Sequence, residues 1–172
     1  MDTPHNIVIR TITLADYDRI VEIDMKITGL RRLTYYRRKM HASLSEKQRI
    51  ITSLVAEVDG RVAGFVMGDV LIGDFGVPEA VASIDTLGVD PEYQRRGVAR
   101  ALITAFISAV KNAGAEKIMT LVQWKDLSLL HFFSEQGFSM ARTLPLELTL
   151  VESPKEAEGS RQKAAGRFHS NP

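Results

Sequence analysis

The sequence contains no cysteine, which excludes a disulfide-stapled scaffold, a thiolate metal site and a cysteine nucleophile. Its four histidines are scattered, and no two of them have the spacing of a metal-binding pair, so we expect no metal. No stretch reaches the roughly 18 apolar residues of a membrane-spanning helix. Residues 1–10 hold only a short apolar run, which indicates no signal peptide. These absences predict a soluble, cytoplasmic protein with no membrane partner.

A surplus of charge is also missing, because 22 basic and 21 acidic residues leave a net charge of +1. Bulk electrostatics therefore favour neither nucleic acid nor membrane binding. The chain lacks a phosphate loop ending in Gly-Lys-Ser/Thr, a Gly-x-Ser-x-Gly nucleophile elbow and a Gly-x-Gly-x-x-Gly dinucleotide fingerprint. The motifs of P-loop nucleotide hydrolases, serine hydrolases of the elbow type and dinucleotide-dependent enzymes are therefore absent.

What is present indicates one globular domain, since 45% of the 172 residues are apolar and no break in composition divides them. We assign this domain to residues 1–151. Residues 152–172 contain one large apolar residue, Phe168, among charges of both signs. That composition predicts a flexible C-terminal tail in preference to a partner-binding segment.

Hydrophobic periodicity predicts a mixed fold. Alternating or β-branched apolar segments predict strands over 6–12, 50–58, 61–71, 81–89, 117–122, 138–142 and 146–151. A 3.6-residue period predicts helices from the cap at Thr13 to Gly29 and over 30–44, 97–112 and 126–136. Asp59-Gly60 predicts a hairpin, and the strand–helix–strand unit at 81–122 requires a parallel pair. The fold class is therefore α/β or α+β, with helices on both faces of a mixed sheet.

One segment carries a chemical signal, Gln94-Arg95-Arg96-Gly97-Val98-Ala99, which leads into an amphipathic helix. The first turn of a helix has free N–H groups and about half a positive charge, and such an end binds phosphate. Arg95, Arg96 and Arg100 add charge around it. The segment therefore predicts a phosphate or pyrophosphate site, although an ordinary helix start with solvated arginines fits the same residues.

A glycine inside the preceding strand, Gly88, adds to this signal. Glycine within a strand indicates a bulge or a close approach of another group to the backbone. A ligand could insert beside a strand disturbed in this way.

Together these segments resemble the GNAT superfamily of acyl-CoA-dependent N-acetyltransferases. The segment 94–99 is similar to its Gln/Arg-x-x-Gly-x-Gly/Ala pyrophosphate loop, and Leu87-Gly88-Val89-Asp90-Pro91 to its splayed fourth strand. Phe133-Ser134-Glu135-Gln136-Gly137-Phe138 is similar to its Tyr-x-x-x-Gly-Phe ending. The resemblance is dense over 81–140 and weaker over 6–75. It implies a mostly antiparallel, twisted sheet with a central splayed parallel pair.

The resemblance also implies acetyl-CoA as cosubstrate. The backbone of Leu87, Gly88 and Val89 would pair with the pantetheine arm, and an N–H there would polarise the thioester carbonyl. The pyrophosphate would be held by the loop and the first helical turn, namely Gln94, Arg95, Arg96, Gly97, Val98, Ala99 and Arg100.

Two positions depart from the family pattern. Asp126 stands where the family commonly has an Asn that contacts the pantetheine, and Phe133 where it commonly has a Tyr that protonates the leaving thiolate. Phe133 cannot donate a proton. A thiol has an ordinary pKa near 8.5, so the thiolate can leave without an acid. The hydroxyl could also come from Tyr35, Tyr36 or Tyr93.

The acceptor amine must lose a proton, and Asp85 is the candidate base. It lies two residues before Leu87, which in a regular strand places both on one face. The alternative is a structural aspartate paired with a neighbouring N–H or arginine. Since the chain lacks a cysteine and a serine elbow, direct attack in a ternary complex is simpler than a covalent acyl-enzyme.

Two charged segments bear on the acceptor. Residues 31–39 carry five positive charges and no acid, which suits an acidic acceptor, a nucleic acid or a solvated helix face. Residues 59–92 carry seven acids and one base, which would attract a cationic amine. We expect transfer to a small amine, a protein N-terminus or a lysine. One alternative is a catalytically silent acyl-CoA-binding sensor. The other is a nucleic-acid-associated protein, and the net charge of +1 argues against this second alternative.

Overall fold

The computed structural model describes residues 6–45, 53–72 and 79–150. Its strands are β1 (Ile7–Thr11), β2 (Leu54–Val58), β3 (Arg61–Ile72), β4 (Ala80–Val89) and β5 (Lys117–Thr120). Its helices are α1 (Tyr17–Thr28), α2 (Leu33–Ser45), α3 (Val98–Asn112) and α4 (Leu127–Glu135). Short 3-10 helices precede α1 and follow β4, at Leu14–Asp16 and Pro91–Tyr93. No helix in these described ranges is long and apolar enough to cross a membrane.

The five strands form one sheet in the order β1-β2-β3-β4-β5. Neighbouring strands are antiparallel except β4 and β5, which are parallel. The predicted mixed sheet is therefore confirmed. The β2–β3 turn lies at Asp59-Gly60, where both residues have positive φ (51° and 76°), as a tight hairpin turn between twisted strands requires.

Each face of the sheet has its own apolar core. The α3 side is built on Val98, Leu102, Ile103, Phe106 and Val110 of α3 together with Phe133 of α4. The opposite side is built on residues of α1 and α2, among them Ile20, Ile23, Tyr36 and Met40. Consecutive strand residues divide between the two cores, as the two-residue period of a strand dictates. Helices therefore cover both faces, as predicted.

A β-bulge lies in the middle of β4. Met67 of β3 pairs with Thr86 and the next residue, Gly68, pairs with Ile84, so Asp85 is the extra residue. A Cβ on Gly68 would lie 1.9 Å from the Ser83 carbonyl oxygen, which explains the glycine opposite the bulge. Of the two alternatives expected for Gly88, a bulge or a close approach to the backbone, the structure shows the second. Gly88 admits the Phe65 ring, because a Cβ there would lie 2.7 Å from Phe65 Cε1.

Beyond the bulge, β4 and β5 separate. Their parallel pairing runs from Val81 with Lys117 to Ile84 with Thr120, whose hydroxyl donates to the Ile84 carbonyl at 3.0 Å. β4 then continues to Val89, and β3 is its only partner there among the described strands. This is the splayed pair that the family resemblance implies, and it leaves one edge of β4 open.

The strands predicted at 138–142 and 146–151 are not found in the described residues 139–150, which contain neither helix nor strand and form a separate unit. Leucines alternate with other residues over 144–150, as strand residues do, but Leu144, Leu146, Leu148 and Leu150 are exposed. An alternating pattern becomes a strand only where another strand supplies hydrogen-bond partners. Residues 50–52 and 151 and the predicted tail lie outside the described residues.

The end of β4 is fixed to α1 through Asp90, whose side chain is fully buried. Its carboxylate accepts hydrogen bonds from Arg19 Nη2 at 2.6 Å, Lys26 Nζ at 2.9 Å and the Glu92 N–H at 3.1 Å. Burial alone would raise the pKa of Asp90, but the bonds from Lys26, Glu92 and Arg19 outweigh it, so the pKa is lowered. The carboxylate is therefore held ionised in the core.

We expect Asp90→Asn to lower the free energy of unfolding by about 3 kcal/mol, because it leaves two cations without their buried partner. Glu22→Gln is the matched control, since Glu22 contacts the same Arg19 and Lys26 but is about half exposed. That change should cost less than about 1 kcal/mol. Urea unfolding at pH 7 measures both values, and equal losses would contradict this role of Asp90.

The interaction of the Asp90 carboxylate with Arg19 and Lys26 also predicts that stability depends on pH. Because the folded pKa of Asp90 lies below its unfolded value of about 3.9, its contribution is present above that value. It is lost as the pH falls through the folded pKa. The unfolding free energies of wild type and Asp90→Asn should therefore converge in acid. A difference that stays constant down to pH 2 would show that the carboxylate's charge is irrelevant.

Candidate active site

The open edge of β4 presents backbone groups that have no strand partner in the described part of the chain. The Asp90 N–H donates to the Ala63 carbonyl of β3 at 2.8 Å. In an antiparallel strand the backbone N–H and C=O groups of successive residues point to opposite edges. The N–H and C=O groups of Gly88 therefore also point to β3, whereas those of Leu87 and Val89 point away from it. These groups point into the gap left where β5 ends. The Val89 carbonyl accepts a 3.3 Å bond from Gln94 Nε2, so Gln94 joins this edge to the following loop.

The loop ends at the N-terminus of α3, where Gly97 has φ 84°. A Cβ on Gly97 would meet nothing nearer than Ile7 Cδ1 at 4.0 Å, so the glycine is needed for its backbone conformation and not for space. The first helical bond runs from the Ala101 N–H to the Gly97 carbonyl. The N–H groups of Val98, Ala99 and Arg100 therefore have no intrahelical acceptor and can bind an anion.

Three exposed arginines surround this helix start. The Arg96 guanidinium lies over the Tyr93 ring at 5.5 Å, and Arg100 approaches Glu135 at 3.9 Å. Arg95, itself in the left-handed conformation with φ 60°, makes no ion pair with a described residue. Cationic side chains and N–H groups without an intrahelical acceptor thus meet at one helix end, an arrangement that can bind a phosphate.

Both positions that depart from the family pattern have structural roles. The Asp126 carboxylate accepts a 3.0 Å bond from the Leu129 N–H and so caps α4. Phe133 is only 5% exposed, and its ring makes edge contacts with Phe132 and Phe138. The position where the family commonly has a tyrosine therefore holds a phenylalanine that packs in the core.

Asp85 is held in an ion pair with Lys39 of α2, and it also accepts a 3.0 Å bond from Ser83 Oγ. Lys39 lies 3.6 Å from Asp69 as well. Burial would lower the pKa of Lys39, but the two carboxylates raise it. The expectation that Asp85 shares a face with Leu87 is wrong, because the bulge turns Asp85 toward α2 while Leu87 packs in the α3-side core.

The predicted replacement hydroxyls differ in their surroundings. Tyr36 is fully buried and donates to Asp24 Oδ1 at 2.8 Å, so its proton is already bound there. Burial and the neighbouring Asp24 raise its pKa. Arg32 also binds the Asp24 carboxylate, through both Nε and Nη2. Tyr93 lies beneath Arg96, and Tyr35 packs edge-on against Tyr36.

Three groups near this site were not predicted from the sequence. Asp24 was visible as an acid on the apolar stripe of α1, eight residues before Arg32. The pairing of Lys39 with Asp69 and Asp85 carried no sequence signal, yet it joins the basic segment to the acidic one. Thr86 Oγ1 is buried without a hydrogen-bond partner among the described residues, and alternation places it on the same side of β4 as Gly88.

We expect Asp126→Ala to lower the free energy of unfolding by about 1 kcal/mol, because α4 loses its N-cap. Asp126→Asn should keep it nearly unchanged, since asparagine caps as well as aspartate. Thermal or urea unfolding of the two variants shows whether α4 needs only a capping oxygen at position 126 or also its negative charge. Equal losses in both would show that the charge of Asp126 matters for stability.

Comparison with known proteins agrees with this geometry. The sequence pattern of the Acetyltransferase (GNAT) family matches residues 17–138. An aminoglycoside N-acetyltransferase solved with CoA is 15% identical, with a TM-score of 0.72 over 88% of this chain and 99% of that one. A ribosomal-protein alanine N-acetyltransferase from Escherichia coli is 18% identical, with a TM-score of 0.66 over 79% of each chain.

A transcriptional regulator from Bacillus halodurans C-125 has the same fold, with 17% identity and a TM-score of 0.72 over 84% of this chain and 100% of that one. At these identities the solved structures show the shared fold, and the sequence pattern shows the family. The splayed β4 and the glycine-led start of α3 both lie inside the matched range. The chain belongs to the GNAT family of acetyltransferases.

Proposed function

We propose that the protein transfers the acetyl group of acetyl-CoA to a primary amine by direct attack in a ternary complex. The observation that carries this proposal is the open edge of β4 beside the start of α3. Unpaired backbone groups at the edge suit the amides of a pantetheine arm, as an added strand would be bound. The helix start suits a pyrophosphate.

The chain's own residues divide the work. Leu87 and Val89 offer N–H groups at the edge, and one of them would stabilise the charge that develops on the carbonyl oxygen. The residues from Arg95 to Arg100 would hold the phosphates. When bound, acetyl-CoA supplies an acetyl group activated as a thioester. A thiol with an ordinary pKa near 8.5 is a tolerable leaving group, so Phe133 need not donate a proton.

Asp85 is the candidate for the amine's proton. The carboxylate lies in the bulge, two residues before the open edge, and forms an ion pair with Lys39. A carboxylate at this place could accept the amine's proton directly or through water. The similar structures include N-acetyltransferases for an aminoglycoside and for a protein alanine, which supports an amine acceptor without choosing its size.

We expect Gly97→Glu to weaken acetyl-CoA binding about tenfold or more, because the added carboxylate faces the phosphates. Gly114→Glu is the matched control, since Gly114 also has positive φ (87°) and open space around it but follows the end of α3. Both variants should lose about 1–2 kcal/mol of stability to the left-handed conformation. Calorimetric titration measures the difference, and equal affinities in the two variants would contradict the phosphate site.

A catalytically silent acyl-CoA sensor is the second candidate. It is favoured by the burial of Phe133 in the core and by the engagement of Asp85 with Lys39. Thiol release from acetyl-CoA in the presence of a panel of amines, with mass-spectrometric detection of an acetylated product, separates the two. A protein that binds acetyl-CoA yet acetylates no amine, and gains activity only as Phe133→Tyr, would be a sensor.

If the protein is an enzyme, Asp85→Asn should lower the rate at neutral pH roughly 100-fold and leave acetyl-CoA affinity unchanged, because it removes the base and keeps the shape. Asp69→Asn, which alters the other carboxylate near Lys39, should have little effect. The wild-type rate should rise with pH through one ionisation, and this limb should move or vanish in Asp85→Asn. An unaltered pH profile would assign the proton transfer to another group.

A further inference from the structure

The apolar stripe of α1 extends beyond the part of the sheet that covers it. Ile20 and Ile23 on this stripe are fully buried, but Ile27, one turn further, is 45% exposed. Ile27 still reaches β4, because a Cβ placed on Gly88 would lie 3.3 Å from Ile27 Cδ1. The stripe therefore ends beside the open edge with Ile27, an apolar side chain that is about half exposed.

The two sides of this edge are unlike. On the α3 side lie the phosphate-binding helix start and the side chains of Leu87 and Val89, both of which pack in that core. On the α1 side, Gly88 has no side chain and Ile27 stands against it. A thioester that approached from the α3 side and received an N–H bond from Leu87 or Val89 would have its acyl chain leave toward α1. Two side chains contact Gly88 on that side, the buried Phe65 and Ile27, and of these only Ile27 is partly exposed and so can meet an acyl chain.

We propose that Ile27 is a specificity-determining residue that limits the length of the transferred acyl group. This inference rests on the proposed function. Packing density decides the limit, because an acetyl methyl can lie against Ile27 Cδ1, whereas each further methylene needs the volume that the isoleucine already fills. Discrimination by one methylene in an apolar pocket is roughly 10- to 200-fold.

The test measures dissociation constants of free CoA, acetyl-CoA, propionyl-CoA and butyryl-CoA by calorimetric titration of the full chain, so no acceptor is needed. Wild type should bind acetyl-CoA more tightly than butyryl-CoA. Ile27→Ala should shift the butyryl-to-acetyl affinity ratio toward butyryl-CoA by about tenfold or more. Met25→Ala is the control, because Met25 is as exposed (43%) and lies on the opposite face of α1, and it should leave the ratio unchanged.

A ratio that Ile27→Ala leaves at the wild-type value, with acetyl-CoA still bound, would overturn this inference and spare the proposed function. A wild-type protein that binds none of the four ligands would overturn both. Ile27→Val, which removes one methyl, serves if the alanine variant does not fold. It should shift the propionyl-to-acetyl ratio in the same direction, and an unshifted ratio there would equally reject the acyl limit.

Discussion

Strand β4 has two neighbours along its first half and one along its second, and the site depends on this loss of a neighbour. Backbone N–H and C=O groups must find partners when they are removed from water, so a strand edge without a neighbour is a place for a ligand to pair. The edge opens at the bulge, because the pairing of β4 with β5 ends at Ile84, the residue before the extra residue Asp85. The buried Asp90 then fixes the end of β4 to α1.

Packing on the α1 side continues from that edge as a chain of contacts. Phe65 fills the space that Gly88 leaves, Tyr36 packs edge-on against Phe65, and its hydroxyl binds Asp24. Asp24 in turn binds Arg32 at the start of α2. These contacts, which include charged hydrogen bonds, hold the turn between α1 and α2 in place relative to the open edge. A surface fixed in this way suits the lining of the proposed site.

Much of this architecture could be predicted from the sequence, because periodicity and turn residues are local signals. The Asp59-Gly60 hairpin, the four helices and the Gly97 helix start follow from neighbouring residues alone. Pairings between distant residues could not be read this way, among them Lys39 with Asp85 and Arg19 with Asp90. Gly88 indicated either a bulge or a close approach to the backbone, and the sequence alone could not choose between them. The structure shows that Gly88 admits the Phe65 ring and that Asp85 is the extra residue of the bulge. The segments 138–142 and 146–151 were wrongly predicted as strands, because the pattern of a segment carries no information about a partner strand.

The most direct test of the central claim is amide hydrogen exchange of β4 by nuclear magnetic resonance, with and without acetyl-CoA. The N–H groups of Leu87 and Val89 face the gap, whereas that of Gly88 is already bonded to β3. Acetyl-CoA should therefore slow exchange at Leu87 and Val89 and leave the slow exchange of Gly88 nearly unchanged. Protection that is absent at Leu87 and Val89, or that rises equally at all three amides, would contradict a ligand paired to the open edge of β4.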